Sequence, residues 1–516
     1  SNNKYVLSGD QFVKVHQGSL PAFRCYLSVP DNTVTASNLY IKDNSSNTFI
    51  IQEEGTLVNK NNASSIGSAT LSTDGDKMRL TVTPGDNYYA DKTYAIDTAK
   101  RENGGRYVFT DDERELLPGL YFFATLTGKY VEFVIYNEKP FFSFSTHGDD
   151  WMANMKPVGS AENKAFYDYH SLSRRYGSMD NAPDTSDHAA YSAFMSRISK
   201  TMDSVRNDFV KRNPKRMISR MMLATKEPDV PENDPLGVPL EPRQRWEIYV
   251  THYFDNMPLE DDFLVRTPRA VFYDRVMNYC DRAMNGATPE IIIPYLDKML
   301  DRAKASKENF HYLLHTITEK YLQSNIMVYD EIYVHLIKRY YAAGDAFWMS
   351  PSDIDKEVSR AERWENLLVG RVAPELVVYD EHERPVSLHA MPTDYKLLIF
   401  WSPTCGHCQK IIPLVYEKYM EMRKKCNIGA MAILTDFDNE TTEKWKDFIK
   451  EHDMTQWGNY SGGVANIDWH EVYDVTSTPQ IYLIDKNNKI LAKKINEETF
   501  ESIMEYLLKE GSPLDK

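Results

Sequence analysis

Residues 395–408 constrain the fold of this 516-residue chain most tightly. The apolar run Tyr395–Trp401 has the length of one buried strand, and Ser402-Pro403-Thr404 follows it as a turn. Two cysteines then stand three positions apart in Cys405-Gly406-His407-Cys408, at the start of a helical pattern. The passage predicts a strand, a turn and a helix whose first turn carries a cysteine pair.

The remainder of the chain changes its periodicity several times, which indicates a modular protein. At roughly 150 residues per domain, the length predicts about three domains. Alternating runs, helical periods and a final strand–helix alternation predict a multidomain α+β fold, with an N-terminal antiparallel β-region, an all-α middle domain and a C-terminal α/β domain. The expected boundaries are a small β-unit at 1–60, an antiparallel β domain at 61–159, a helical extension at 160–225, a Pro-rich connector at 226–245, an all-α domain at 246–369 and an α/β domain at 370–516.

Proline marks both the connector and two helix starts. Five prolines between Lys226 and Arg243 remove backbone donors and predict an extended connector. Thr288-Pro289 and Ser350-Pro351 each place a hydroxyl before a proline, which predicts helices that begin at the prolines.

Charge and hydropathy exclude two kinds of partner or setting. Sixty Lys and Arg against 75 Asp and Glu give a formal charge of −15, so no nucleic-acid partner is expected. No apolar run approaches the roughly 18 to 20 residues of a membrane span. The opening Ser1-Asn2-Asn3-Lys4 has neither an initiator Met nor a signal segment, so the sequence reads as a processed chain.

The helix start gives the two sulfurs different chemistry. Unpaired amides at a helix N-terminus stabilise an anion, so the pKa of Cys405 is expected below the roughly 8.5 of a free thiol. Cys408 lies one turn deeper, within reach of a disulfide. We therefore expect Cys405 to be the nucleophile, Cys408 the resolving cysteine and His407 the residue that tunes the pair, with no cofactor besides a Cys405/Cys408 disulfide.

Two other uses of a cysteine pair are disfavoured. A zinc site needs a second ligand pair, but Cys25, Cys280 and Cys426 are isolated, so no metal is expected and these three are interpreted as buried hydrophobes. A peroxidase would need a Pro-x-x-x-Thr-x-x-Cys arrangement, whereas Pro403 and Thr404 directly precede Cys405.

Several motifs in register carry a family resemblance. Residues 398–408, with Pro413 five residues later, resemble the thioredoxin-fold active site, and residues 473–485 resemble its cis-proline loop and following strand. The lead-in at 370–388 is similar to the TlpA/ResA-like membrane-tethered thiol-disulfide oxidoreductases. The resemblance implies that Thr478 and a cis Pro479 form the substrate-docking edge, and we expect Trp401 to serve as both active-site wall and core.

The sequence departs from thioredoxin itself at two positions. Thr404 stands where thioredoxin has a tryptophan, and Ile399 stands where it has a buried aspartate. Deprotonation of Cys408 therefore needs another base or water, and the sequence assigns no residue to that role.

Weaker resemblances upstream imply a location and partners. Residues 117–123 and 159–163 resemble a β-domain of unknown function that precedes thioredoxin domains in envelope lipoproteins of Gram-negative anaerobes, and the helical middle resembles its companion. They imply a periplasmic or cell-envelope protein with a lipid anchor upstream of Ser1. The implied partners are protein thiol or disulfide substrates, a membrane electron donor and an outer-membrane or envelope complex.

The leading hypothesis is an extracytoplasmic thiol-disulfide oxidoreductase. The alternative is an envelope scaffold or binding lipoprotein whose N-terminal domains engage a partner complex, because some 370 residues contain no recognisable catalytic constellation.

Overall fold

The computed structural model describes the backbone of nine strands within residues 3–110, and then residues 116–125, 130–138, 142–147, 150–512 and 514. The chain divides into two compact units, one of residues 1–83 and 91–219 and the other of residues 84–90 and 220–516. Cys25 lies outside the described residues. Within the described part of the chain, no helix is long and apolar enough to cross a membrane.

The first unit opens with a five-stranded antiparallel sheet. Its strands are β1 (Asn3–Ser8), β2 (Gln11–Val15), β3 (Tyr26–Val29), β4 (Asn38–Lys42) and β5 (Thr48–Gln52). Their spatial order is β2-β1-β3-β4-β5.

An eight-stranded sheet follows. Its strands are β6 (Ser65–Leu71), β7 (Lys77–Val82), β8 (Tyr94–Glu102), β9 (Arg106–Thr110), β10 (Gly119–Thr125), β11 (Tyr130–Ile135), β12 (Ser143–Thr146) and β13 (Lys156–Val158). The spatial order is β11-β10-β7-β8-β9-β6-β12-β13. The sheet is antiparallel as predicted except at one pair, since β12 runs parallel to β6. These two strands are far apart in the chain, so no hairpin turn dictates their direction.

Three helices come next, and the first of them is tied to the edge strand β11. They are α1 (Ala161–Tyr176), α2 (His188–Arg212) and α3 (Met217–Ala224). The buried amide of Asn163 accepts the N–H of Val134 at 2.8 Å and donates to its carbonyl at 2.9 Å. The Ser160 hydroxyl caps α1 by accepting the N–H of Asn163 at 2.9 Å. A polar side chain thus satisfies backbone groups that the edge strand leaves unpaired.

The Pro-rich connector is more ordered than the sequence predicts. A β-bridge joins Asn233 to Pro239, and the Asp234 carboxylate accepts the N–H groups of Leu236 and Val238 at 2.9 and 2.8 Å. Helix α4 (Pro242–His252) begins inside the predicted connector. Proline is compatible with this first helical position, because the donor that it lacks has no intrahelical partner there.

The helical region of the second unit continues to Asn366. Its further α-helices are α5 (Tyr273–Asn278), α6 (Pro289–Ala303), α7 (Lys307–Leu322), α8 (Asp330–Leu336) and α9 (Pro351–Asn366). π-helical turns at Tyr279–Ala283 and Ile337–Tyr341 extend α5 and α8. Both predicted starts are confirmed, as α6 begins at Pro289 and α9 at Pro351.

The C-terminal part is a thioredoxin-like α/β sheet. Its elements are β14 (Val377–Tyr379), β15 (Pro385–Ser387), β16 (Tyr395–Trp401), α10 (Gly406–Met422), β17 (Ile428–Leu434), α11 (Asn439–Glu451), β18 (Gly458–Ser461), α12 (Trp469–Val472), β19 (Gln480–Asp485), β20 (Ile490–Lys493) and α13 (Glu497–Glu510). Strands β14 and β15 form a separate hairpin, and the main sheet has the order β18-β17-β16-β19-β20. Strand β16 pairs in parallel with β17 and antiparallel with β19, which places it at the centre.

Strand β16 is buried on both faces, as its apolar run predicts. Leu397, Ile399 and Trp401 belong to the core cluster that includes α10 residues, whereas Leu398 and Phe400 belong to the cluster on the opposite face. The strand's register is held by backbone pairing on both sides, with Trp401 opposite Leu434 of β17 and Phe400 opposite Gln480 of β19, and this sets the point at which the Cys405 turn begins.

A buried ion cluster joins the helical region to the α/β sheet within the second unit. Asp330 at the start of α8 contacts Lys493 at 2.6 Å and Lys494 at 2.7 Å. The side chains of Asp330 and Lys493 are only 2% and 7% exposed. Removing either partner would leave a buried charge without compensation.

We predict that Asp330→Ala lowers the free energy of unfolding by about 3 kcal/mol, because it strands the Lys493 ammonium in the interior. Urea unfolding followed by tryptophan fluorescence measures this change. The matched control is Glu443→Ala, which removes a solvent-exposed ion pair with Lys446 and should have little effect. Equal destabilisation by the two substitutions would contradict the prediction.

Candidate active site

The turn after β16 holds Cys405 at the start of α10. Cys405 is the N-cap residue, and its N–H donates to the Ser402 carbonyl at 3.2 Å. The hydroxyls of Ser402 and Thr404 lie 2.8 Å apart, and Gln409 donates from Nε2 to the Pro403 carbonyl at 2.7 Å. Hydrogen bonds from the strand end and from the helix therefore hold the turn in place.

The surroundings of Cys405 favour its thiolate. Burial raises its pKa, but the backbone amide of Cys408, the side chain of Thr478, the Cys408 thiol and the backbone amide of His407 all lower it by hydrogen bonding. The net result is a pKa of Cys405 below that of an ordinary thiol. This agrees with the expectation that the free amides of a helix N-terminus stabilise a sulfur anion.

Cys408 has the opposite character. It is fully buried in the core cluster beneath the turn, and burial raises its pKa to about 12 despite a hydrogen bond from the Ser402 backbone. Both cysteines are present as thiols. One helical turn therefore separates a partly exposed, acidic thiol from a buried, weakly acidic one.

The loop before β19 faces the first cysteine. The peptide bond between Thr478 and Pro479 is cis, and the Cys405 thiol donates to the Thr478 carbonyl at 3.3 Å. The Gln480 amide donates to the Tyr473 carbonyl at 2.8 Å, which ties the two ends of the loop together. Cys405, Cys408, Thr478 and Pro479 are thus gathered at one end of the central strand.

The other two predicted site residues differ in position. His407 is exposed in the first turn of α10, between the two cysteines. Trp401, predicted as both active-site wall and core, lies in the core: its side chain is 0% exposed and packs 5.4 Å from the Phe448 ring, so it offers a substrate no exposed surface in this structure. Residue 401 is the last position of β16 and falls on its α10-facing side, so the ring is turned inward.

The other described cysteines stand apart from the pair. Cys280 is buried, and burial raises its pKa to about 12; burial also raises the pKa of the half-buried Cys426. Among the residues that the structure describes, no group of three or more His, Cys, Asp or Glu side chains could hold a metal ion.

Sequence reasoning missed the residues that brace the site. Ser402, Gln409 and Gln480 each fix a loop by a hydrogen bond to or from backbone. Ser402 could have been found from its place before proline, because a serine hydroxyl often bonds to nearby backbone in turns. The two glutamines act across loops, and a residue type alone does not reveal such a contact.

These features define a class of protein. A dithiol at a helix N-terminus, opposite a cis-proline loop and at the end of a central buried strand, is the arrangement of a thioredoxin-fold thiol-disulfide oxidoreductase. Residues 393–490 match the family described as thioredoxin-like. Residues 190–362 match a domain of unknown function, DUF5106.

Two relatives assign the chain to one family within this class. The thiol-disulfide oxidoreductase ResA of a Bacillus cereus strain is 32% identical over 145 residues, which are 28% of this chain and 80% of that protein. ResA of Bacillus thuringiensis subsp. konkukian is 31% identical with the same coverage. The chain belongs to the ResA family of thiol-disulfide oxidoreductases. A thioredoxin-like protein from Bacteroides caccae ATCC 43185 is a structural neighbour with 21% identity and a TM-score of 0.45, covering 54% of this chain and 98% of its own.

We predict that iodoacetamide at neutral pH modifies Cys405 of the reduced protein much faster than Cys408, as mass spectrometry of the labelled peptides would report. The thiolate is the reacting form, so the rate should fall as the pH drops through the lowered pKa of Cys405. Cys405→Ser should abolish the fast reaction, and Cys408→Ser should retain it. Faster labelling of Cys408 would contradict the assignment.

Proposed function

We propose that this chain is an extracytoplasmic enzyme that exchanges thiols and disulfides with protein substrates, with Cys405 as nucleophile and Cys408 as resolving cysteine. The main support is the contrast between the two thiols, since the pKa of Cys405 is lowered and that of Cys408 is raised to about 12. At any given pH the thiolate fraction of Cys405 therefore exceeds that of Cys408, so Cys405 attacks first.

The reaction consists of two displacements. The Cys405 thiolate attacks one sulfur of a substrate disulfide, the S–S bond of the substrate breaks, and one substrate sulfur leaves as a thiolate. Cys408 then loses its proton and attacks the Cys405 sulfur, which closes the Cys405–Cys408 disulfide and releases the second substrate sulfur. Two electrons pass to the substrate, which ends as two thiols. The reverse sequence oxidises a substrate dithiol.

Thr478 and Pro479 are proposed as the docking edge for the substrate. Both residues are half-buried, and the Thr478 carbonyl lies 3.3 Å from the Cys405 sulfur. An extended peptide that pairs with the Thr478 backbone would hold its own sulfur beside Cys405. Main-chain pairing of this kind accepts varied side chains, which suits an enzyme with several protein substrates.

His407 is proposed as the residue that tunes the pair. It is exposed in the first helical turn, and its backbone amide is among the groups that lower the pKa of Cys405. A protonated imidazole at this place would add a further positive charge near the thiolate. Stabilising the thiolate stabilises the reduced pair, so the disulfide becomes a stronger oxidant than one with proline at this position.

The proposed setting is the periplasm or cell envelope, with a lipid anchor upstream of Ser1. A membrane electron donor would re-reduce the pair when the enzyme works as a reductase, and an envelope complex is the proposed partner of the upstream regions. Membership of the ResA family and the sequence resemblances upstream support this setting.

A scaffold or binding role is the second candidate. Two observations favour it. The match to ResA covers only 28% of this chain, and residues 190–362 separately match a domain of unknown function. On this alternative the upstream regions engage a partner complex, and the dithiol is an accessory.

One assay separates these two functions. The reduced full chain should convert a fluorogenic peptide disulfide into two thiols with one Cys405–Cys408 disulfide formed per peptide. Cys408→Ser should stop after the first displacement and accumulate a mixed disulfide with the peptide on Cys405, because the resolving sulfur is gone. Cys405→Ser should do neither. A wild-type chain that leaves the peptide oxidised, yet captures the same partner complex as the double Cys→Ser variant, would favour the scaffold.

A further inference from the structure

Two residues in the last turn of α9, in the helical region, donate hydrogen bonds to one residue of the C-terminal domain. Arg363 donates from Nε to one carboxylate oxygen of Asp474 at 3.0 Å, and Trp364 donates from its indole N–H to the other at 2.6 Å. The Asp474 side chain is only 9% exposed. Each carboxylate oxygen therefore has its own donor from α9, in a largely buried setting where such charge-assisted bonds are strong.

Asp474 stands where the chain leaves α12 for the cis-proline loop. Its backbone is left-handed, with φ 47°, a conformation that residues other than glycine adopt at a cost. The Asp474 N–H donates to the Glu471 carbonyl at 3.3 Å, and its own carbonyl accepts the Thr476 N–H at 3.0 Å. Contacts to the side chain of Asp474 thus help to hold the backbone conformation that sets the direction of the loop.

The loop that starts here ends at the proposed docking edge. Four residues after Asp474, the Thr478 carbonyl accepts the Cys405 thiol at 3.3 Å. At the far end, Gln480 is bonded to the Tyr473 carbonyl at 2.8 Å. The short segment between is therefore held at both ends, and one of these anchors is supplied by α9.

The Trp364 side chain is itself well fixed. Its ring lies 4.9 Å from the Tyr333 ring of α8, and the ammonium groups of Lys493 and Lys494 lie 5.7 and 5.5 Å from its centroid. An indole held in this way presents its N–H in one direction. Packing within the second unit therefore holds the Trp364 side chain in place, unlike a flexible side chain on the surface.

A second contact between the same two parts of the chain serves as an internal comparison. Met327, which lies just before α8, packs its partly buried side chain against the core cluster that includes α10 residues. It is remote in sequence from Arg363 and Trp364, and its contact is apolar. Weakening this contact loosens the association of the two parts without removing the bonds to Asp474.

We infer that the helical region takes part in the reaction of the dithiol, with Arg363, Trp364 and Asp474 as positioning residues that set the place of Thr478 beside Cys405. This inference rests on the proposed function. It assigns to the end of α9 the control of how well an extended substrate docks. A change in the helical region that moved the end of α9 would alter substrate selection without touching either cysteine.

The test compares two disulfides that differ in their need for the docking edge. A peptide disulfide needs backbone pairing with Thr478, whereas Ellman's reagent has no peptide backbone to pair. Stopped-flow rate constants of the reduced full chain with each give a ratio that cancels changes in the thiolate fraction. Trp364→Phe, which keeps a ring but removes the N–H, and Asp474→Asn, which removes the charge, should each lower the peptide-to-reagent ratio about fivefold. Met327→Ala is the matched control, because it weakens the other contact between the two parts, and it should leave the ratio unchanged.

Each outcome bears on a different claim. An unchanged ratio in Trp364→Phe would overturn the positioning role, and so would an equal fall in Met327→Ala, which would indicate general loosening. Trp364→Phe decides the matter should Asp474→Asn fail to fold. A wild-type chain that reacts with Ellman's reagent but not with any peptide disulfide would overturn the proposed function, and the positioning role with it.

Discussion

The interaction on which the rest of the site depends is that between the Cys405 sulfur and the free amides at the start of α10. The amides of His407 and Cys408 lower the pKa of the thiol against the effect of burial. They can do so only because Cys405 is the N-cap residue, and it is the N-cap residue because β16 ends at Trp401 and a four-residue step leads into the helix. The pairing of β16 with β17 and β19, which sets where the strand ends, is therefore a condition for the chemistry as well as for the fold.

Different burial gives the two sulfurs different pKa values. Cys408 lies one turn further along α10 and sits in the core, where charge is costly, so its pKa rises to about 12. Ile399, on the same strand face as Trp401, places hydrocarbon in that core cluster. The proton of Cys408 has no carboxylate at position 399 to receive it, which distinguishes this chain from thioredoxin. In the proposed second displacement, the proton of Cys408 must therefore leave by another route.

The sequence predicts most of the C-terminal architecture, because its signals are local. The strand, turn and helix at 395–408 follow from periodicity and turn residues, and the helix starts at Pro289 and Pro351 follow from local capping patterns. The position of Trp401 was less predictable, since an aromatic residue beside an active-site turn suits wall and core equally well. The hydrogen bond from Arg363 to Asp474 joins residues 111 positions apart, and no local sequence pattern indicates it. Contacts of this kind are decided by tertiary packing, as is the parallel pairing of β12 with β6.

The reduction potential of the Cys405/Cys408 pair tests the central claim most directly, because stabilising the Cys405 thiolate must favour the reduced form. Equilibration with glutathione, thiol trapping and a parallel His407→Pro variant supply the measurement. The account predicts a potential nearer the disulfide-isomerase value of about −180 mV than the thioredoxin value of about −270 mV, and a lower value in the variant. A potential below about −250 mV that is unchanged in His407→Pro would contradict it and point to a reductase supplied with electrons from the membrane.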